Sequence, residues 1–148
     1  MNVDVVTQTT IDRPVESVAD YVSDPNHACD WYVNIIDVQW KTQPPLRVGS
    51  RVEFTAKFLG RRLVYTYEFV ELQPGAKVVM RTAEGPFPME TTYTFTALDE
   101  HRTAMTLRNR GTPSGFSRLM APLMVPAMRR ANRKDLALLK HNLERAAA

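Results

Sequence analysis

Polar and apolar residues change their spacing three times along this chain, and each change marks an element. Val3 to Ile11 is rich in Val, Thr and Ile with no helix breaker, which predicts a strand. Asp12-Arg13-Pro14 interrupts it. Proline suits a first helical turn, Asp12 or Arg13 stands where the cap belongs, and Glu16 adds an acid to that turn. Val15, Val18, Ala19 and Val22 then recur at helical spacing, so Pro14 to Ser23 is expected to be a short amphipathic helix. Asp24-Pro25-Asn26 breaks it and can start a second short helix reaching Trp31.

From Ile35 the period falls to two. Ile36, Val38 and Trp40 alternate with polar residues, as do Val52, Phe54, Ala56 and Phe58 after the Pro44-Pro45 and Val48-Gly49 interruptions. One dry and one wet face per strand is the mark of a half-buried antiparallel sheet. Leu59-Gly60-Arg61 reads as a tight reversal. Leu63, Tyr65, Tyr67 and Phe69 begin the next strand, which runs to Leu72. Lys77 to Ala83 follows, then the rigid turn Glu84-Gly85-Pro86-Phe87-Pro88. Met89, Thr91, Tyr93 and Phe95 share one face of a strand ending at Ala97, and Thr103 to Asn109 is the last. Six of the seven strands are consecutive with short connections, which predicts a meander of hairpins.

After Gly111-Thr112-Pro113-Ser114-Gly115 no strand signal returns, and good helix formers dominate to the end. Leu119, Leu123, Ala127, Ala131, Leu138 and Leu139, with Met120, Met124 and Met128 beside them, form a long apolar stripe. Pro122 and Pro126 predict a kink or a separate short helix before Ala127, because each removes a backbone donor and crowds the preceding turn. A sheet with one apolar face must cover that face. The expected fold is therefore α+β: a curved seven-stranded antiparallel sheet wrapped around a long C-terminal helix, with two short helices between strands 1 and 2. Where curvature outruns what one helix can fill, an apolar cavity remains.

This order resembles the helix-grip order of the START-like (SRPBCC) superfamily, nearest its polyketide cyclase/dehydrase branch. The matching stretches are Ile11-Asp12-Arg13-Pro14-Val15-Glu16-Ser17-Val18, Val22-Ser23-Asp24-Pro25 with Trp31 beyond, Val48-Gly49-Ser50-Arg51, Val70-Glu71-Leu72-Gln73-Pro74-Gly75, Arg102-Thr103-Ala104-Met105-Thr106-Leu107 and Asp135-Leu136-Ala137-Leu138-Leu139-Lys140. The resemblance implies one domain over residues 1–148. It says less about function, because this superfamily places carriers, cyclases, hydrolases and regulators on one scaffold.

Composition narrows the class. A chain of 148 residues, 44% hydrophobic and 24% charged, suits one globular domain without staples. The lone Cys29 cannot form an internal disulfide, which suits a reducing, cytoplasmic setting. The start lacks the basic and apolar regions of a signal peptide, and Leu119 to Met128 is too short to span a bilayer. The net charge of +3 sits at one end: from Pro113 onward seven cations face two acids. Arg129, Arg130, Arg133 and Lys134 could dock an anionic partner, or simply form a solvated helix face.

Tyr65, Tyr67 and Tyr93 are the polar groups of greatest interest, since a phenol couples aromatic area to a hydroxyl that can hold a ligand carbonyl or enolate. Arg81, if inward, would need an anion; if outward, it is merely solvated. Trp40, Phe54, Phe58 and Phe95 share the apolar faces, and Met120, Met124 and Met128 could form a deformable wall. Each of these also serves as plain core. Trp31, Trp40 and Phe87 fit either a cavity mouth or packing of the short helices onto the sheet. His27, Cys29 and Asp30 lie close in sequence, but their spacing does not hold the side chains on one helical face, which argues against a nucleophile or a metal centre. Phosphate loops, dinucleotide fingerprints, zinc pairs and nucleophile elbows are absent from the sequence, so no cofactor or metal is expected, and nucleic acid is not an expected partner.

The leading expectation is a protein that binds a small hydrophobic molecule, lipid-like, polyketide-like or aromatic. A cyclase, aromatase or dehydratase acting through the tyrosines is the alternative. A regulator docking through the basic helix is a third. Oligomeric state stays open, a homodimer included.

Overall fold

The structure, a computed structural model, describes residues 3–113 and 116–146. Met1-Asn2, at the start read for a leader, and Ser114-Gly115 of the last loop lie outside the described residues. The elements run β1 (Val3–Ile11), α1 (Val15–Ser23), a 3-10 turn (Pro25–His27), α2 (Ala28–Trp31), β2 (Ile35–Trp40), β3 (Arg51–Phe58), β4 (Arg61–Gln73), β5 (Lys77–Glu84), β6 (Met89–Ala97), β7 (Thr103–Gly111) and α3 (Phe116–Ala146).

The seven strands form one antiparallel sheet in the order β1-β7-β6-β5-β4-β3-β2. The meander is thus closed by β1, which pairs with β7 from Val3↔Gly111 to Ile11↔Thr103. Alternation sets the faces. In β6 and β7, odd-numbered residues from Met89 to Phe95 and from Thr103 to Gly111 are buried, while their even-numbered neighbours are partly wet. Irregularities bend the sheet: one residue of β4, Val70, is left over between the pairs Phe69↔Met80 and Glu71↔Val79. Such a bulge increases local twist and lets a sheet wrap a helix instead of lying flat.

β3 and β4 meet through a two-residue loop, with Phe58 opposite Arg61. Leu59 and Gly60 both take positive φ, 51° and 72°. That pair is the primed turn whose twist matches its flanking strands, normally built from Asn-Gly or Gly-Gly. Leu59 holds a conformation that a Cβ disfavours.

α3 lies against the dry face. Its Leu136, Leu139 and Leu143 pack with Ile11, Val18, Trp31, Met105 and Leu107 in the main core, all nearly or fully buried. Each such side chain contributes about 1.5–3 kcal/mol relative to exposure. Arg13 ties this end further, donating from Nη1 to the Leu143 carbonyl at 2.9 Å.

Three local expectations need correction. Pro14 itself, not Asp12 or Arg13, is the α1 N-cap, with no side-chain cap bond. Ile36 faces solvent, because a register shift between Ile35 and Asp37 hands the inward place opposite Ala56 to Ile35. No separate short helix forms before Ala127: Pro122 and Pro126 sit inside one continuous 31-residue helix. Both prolines are exposed, so carbonyls deprived of an amide partner there can turn to water.

Candidate functional site

A cavity of about 150 Å³ opens between the dry face of the sheet and the middle of α3. It lies between two packed zones: the main core around Trp31 and Leu139, and a smaller cluster of Val3, Val5, Tyr65, Phe87, Met89, Met124 and Met128. The strands bring side chains inward by parity. Phe54, Ala56 and Phe58 come from β3, Leu63, Tyr65 and Tyr67 from β4, Met80 from β5, and Met89, Thr91 and Tyr93 from β6. α3 closes the other side with Met128, Ala131, Asn132 and Asp135. Most of the wall is hydrocarbon and aromatic, suited to an apolar guest.

The polar groups of the wall are those of Asn34, Thr91, Asn109, Asn132 and Asp135 and the hydroxyls of Tyr32, Tyr65, Tyr67 and Tyr93. The Tyr32 and Tyr93 hydroxyls share a hydrogen bond of 2.6 Å. Thr91 donates from Oγ1 to Asn109 Oδ1 at 2.7 Å, and Asn109 Nδ2 donates to Asn132 Oδ1 at 3.3 Å. Asp135 accepts the Val33 backbone N–H at 2.8 Å and is only 3% exposed. Burial disfavours its charged form and pushes its pKa up to about 7, against the opposing pull of the Val33 amide. Burial likewise pushes the Tyr67 phenol up to about 12, opposed by its hydrogen bond with Thr91. Tyr32, Tyr65 and Tyr93 are all raised, first by burial. At neutral pH these phenols are neutral donors, and Asp135 stands near the midpoint of its titration. A carboxyl so poised in a dry hollow can take or give a proton.

Of the residues singled out from the sequence, the structure brings Phe54, Phe58, Tyr65, Tyr67, Tyr93 and Met128 together around the cavity. The others lie elsewhere. Trp40 is half-buried and donates from Nε1 to Asn26 Oδ1 at 2.9 Å, fastening β2 to the short helices. Phe95 is buried in the main core, Met124 belongs to the smaller cluster, and Met120 is half-buried outside the lining. Arg81 points to the opposite face of the sheet, where its Nε meets Glu90 Oε2 at 2.6 Å. Its strand pairs Val78 with Tyr93 and Met80 with Thr91 on the dry face, so position 81 must be wet.

Trp31 is 1% exposed and packs edge-on to Tyr93, while Phe87 is buried edge-on to Tyr65, 6.2 Å between centroids. His27 stacks on Tyr21 and donates from Nδ1 to the Tyr21 carbonyl at 2.8 Å. Cys29 is exposed, its thiol raised by partial burial and by Asp37 and Asp30, the reverse of nucleophile activation. Arg130, Arg133 and Lys134 are exposed and Arg129 is half-buried.

Sequence reasoning missed Asn109, Asn132 and Asp135, because polar residues do not announce a buried face. A usable signal was the spacing Met124, Met128, Asn132, Asp135/Leu136, Leu139, Leu143. Drawn through the methionines instead of Leu119 and Leu123, the buried stripe runs through Asn132 and Asp135.

A family model described as "Polyketide cyclase / dehydrase and lipid transport" matches residues 2–144. No curated protein matches the chain. Among solved structures, TTHA0849 from Thermus thermophilus superposes with a TM-score of 0.84 at 18% identity, covering 98% of this chain and 99% of that one. The Zhui aromatase/cyclase from Streptomyces sp. R1128 gives 0.83 at 17% identity over 98% and 95%. A START superfamily protein from Mycobacterium smegmatis gives 0.73 at 14% over 95% and 94%. At these identities the likeness is one of fold. No helix among the described residues is long and apolar enough to cross a membrane.

Proposed function

The chain belongs to the polyketide cyclase/dehydrase and lipid transport family, and from that premise we propose that its cavity binds a small hydrophobic molecule, lipid-like, polyketide-like or aromatic. One observation carries this reading: the hollow between sheet and α3 is walled mainly by aromatic and aliphatic side chains, with polar groups among them that can orient a guest. Burying about 200 Å² of apolar ligand surface would contribute roughly 5 kcal/mol before ordering costs, at about 25 cal/mol per Å². The exposed single thiol fits a reducing setting, and cytoplasmic action is part of the proposal. Thermal-shift titration with naphthalene, 2-naphthol and decanoic acid, backed by native mass spectrometry, tests it. A concentration-dependent rise in Tm with at least one probe is expected. Indifference to all of them overturns the reading.

A second reading, a cyclase or dehydratase, is favoured by Asp135. A buried carboxyl with a pKa of about 7 lines the same cavity as the neutral Tyr67 and Tyr93 phenols. It could remove a proton next to a ligand carbonyl while a phenol donates to the developing enolate oxygen. Turnover of a poly-β-ketone mimic should then depend on Asp135 with an apparent pKa near 7, and Asp135→Asn should retain binding without turnover. Unchanged turnover in Asp135→Asn removes this reading and leaves the carrier reading intact.

A further inference from the structure

The sheet has two outer edges, and they are not alike. β2 is six residues long and carries a register shift, both of which blunt an edge against further pairing. β1 is nine residues long, rich in Val and Thr, and pairs with β7 without interruption. At the β6–β7 hairpin the Leu98 N–H donates to the Arg102 carbonyl, so alternation turns the even-numbered groups of β7 towards β6 and the odd-numbered groups towards β1. Odd faces odd in the β1 ladder. The N–H and C=O groups of Asp4, Val6, Gln8 and Thr10 therefore point away from the sheet.

α3 agrees with that direction and closes one end of the edge. Lys140 Nζ donates to the Thr10 carbonyl at 2.6 Å, and Glu144 accepts the Asp12 N–H at 2.9 Å. The helix thus runs beside the edge in the same direction as β1. From Asp4 to Gln8 the outward backbone groups have no hydrogen-bond partner among the described residues. A groove of about 330 Å³ lies along this stretch, between Val6–Thr9 and the helix residues Arg133, Ala137 and Lys140. Ala137 is exposed and short, which keeps the groove open between the two cations. Lys140 is held by Glu144, whereas Arg133 is exposed and makes no ion pair among the described residues. Arg130, exposed one turn earlier, stands on the same helix stripe.

We propose that this groove docks an extended segment of another protein, one in which acidic and apolar residues alternate, added antiparallel to β1 as an eighth strand. The outward groups of Val6 and Gln8 supply the backbone pairing. The pleat sends alternate side chains of the guest to opposite faces. Those on the helix side meet Arg133 and Arg130, which favours acids. Those on the outer side lie beside Val6, which is 56% exposed, and favour an apolar residue. A second copy suits the edge less well, because joining two β1 strands antiparallel sets two copies of the same cationic helix side by side. The docking rests on the edge and not on the cavity, so either can fail alone.

The probe is a fluorescein-labelled octapeptide of alternating glutamate and valine, titrated with the full chain and read by anisotropy. Saturable binding with a Kd below about 1 mM is expected, and none for the matching lysine–valine peptide. In the antiparallel register the valine nitrogens face β1 and the glutamate nitrogens face away. Methylating the valine nitrogens should abolish binding, while methylating the glutamate nitrogens should change Kd by less than about threefold. Arg133→Glu should weaken the peptide by about fivefold or more with the urea midpoint unchanged. Gln8→Pro removes one edge N–H without touching the β7 ladder and should weaken it comparably. Should Gln8→Pro not fold, the two methylated peptides decide the matter on wild type. Absence of binding to wild type overturns the inference. Equal loss with either methylated peptide, or equal binding of the lysine–valine peptide, also overturns it. A chain that sediments as a dimer and becomes monomeric in Gln8→Pro would assign the edge to a second copy and overturn it as well.

Discussion

The two halves of α3 lie against the same sheet, yet one is sealed and the other is not. In the C-terminal half, Leu136, Leu139 and Leu143 are 2%, 0% and 5% exposed and meet β1, β7 and the short helices. In the N-terminal half, Leu119 and Leu123 are 79% and 60% exposed, and the inward residues are methionines, followed by Asn132 and Asp135. The difference reflects what each stretch has opposite it. α1 and α2 back the C-terminal half, so the space there is filled. Further toward the N-terminus, flexible or polar side chains of α3 border a hollow. Close packing is concentrated at the sealed end and the hollow lies at the other, so substitutions should act differently at the two ends.

The largest expected effect tests that division directly. Leu139→Ala removes a fully buried side chain from the sealed end and should cost about 3 kcal/mol in urea denaturation. Met128→Ala, which enlarges an existing hollow, should cost about half as much, because the side chain has fewer close neighbours to lose. Its signature should appear in ligand selectivity, with larger guests accepted. Equal losses at the two positions would break the comparison.

Asp135 supplies the next test, through its sign. Its folded-state pKa of about 7 lies above the unfolded value of about 4, so the native state holds a proton that the unfolded chain has released across that window. Stability contributed by the protonated form is present in full below pH 4. It declines as the pH rises towards 7 and is gone above it. Asp135→Asn keeps an oxygen for the Val33 amide and cannot ionise. It should therefore be more stable than wild type by about 2 kcal/mol at pH 8 and closely matched at pH 4. Parallel stability curves for the two proteins from pH 4 to 8 would show that Asp135 is not held in a desolvating site.

How far the sequence revealed this contrast follows from the range over which each signal acts. Strand parity is local, so the inward set Phe54, Tyr65, Tyr67 and Tyr93 could be read from neighbouring residues, as could the hairpin at Leu59-Gly60. The bulge that turns Ile36 outward depends on how β2 registers against β3, which no short window contains. On α3 the sequence offered two apolar lines. Hydrophobicity favours the one through Leu119 and Leu123, whereas the sheet selects the one through Met124 and Met128. Asn132 and Asp135 were hidden by the same rule, because their burial comes from tertiary contacts that residue type alone does not report.

A smaller effect is expected at the rim of the hollow. Leu59 holds φ at 51° in the turn that joins Phe58 to Arg61, and its side chain is 45% exposed. Asn tolerates that conformation better than Leu, so Leu59→Asn should stabilise the protein by about 0.5–1 kcal/mol. Because β3 and β4 line the cavity on either side of this turn, the variant should bind the same probes with unchanged affinity. A loss of stability, read from the urea midpoint, would mean that the Leu59 side chain contributes more by packing than its backbone costs.

The smallest effect should come from Arg81, the residue whose charge made it the most attractive partner for an anionic ligand. Its side chain lies on the wet face beside Glu90, with 62% of its surface exposed. Exposed ion pairs contribute about 0–1 kcal/mol. Glu90 also faces Arg110 Nη1 at 3.4 Å, so removing Arg81 does not leave the carboxylate without a cation. Arg81→Ala should therefore shift stability by less than about 0.5 kcal/mol, with the difference fading as salt is raised. The sheet separates this side chain from the cavity, so probe affinities should be untouched. If Arg81→Ala weakened binding of an anionic guest such as decanoate while leaving neutral probes alone, the binding surface would have to extend to the outer face of the sheet. The division of labour between the two ends of α3 would then describe only part of the site.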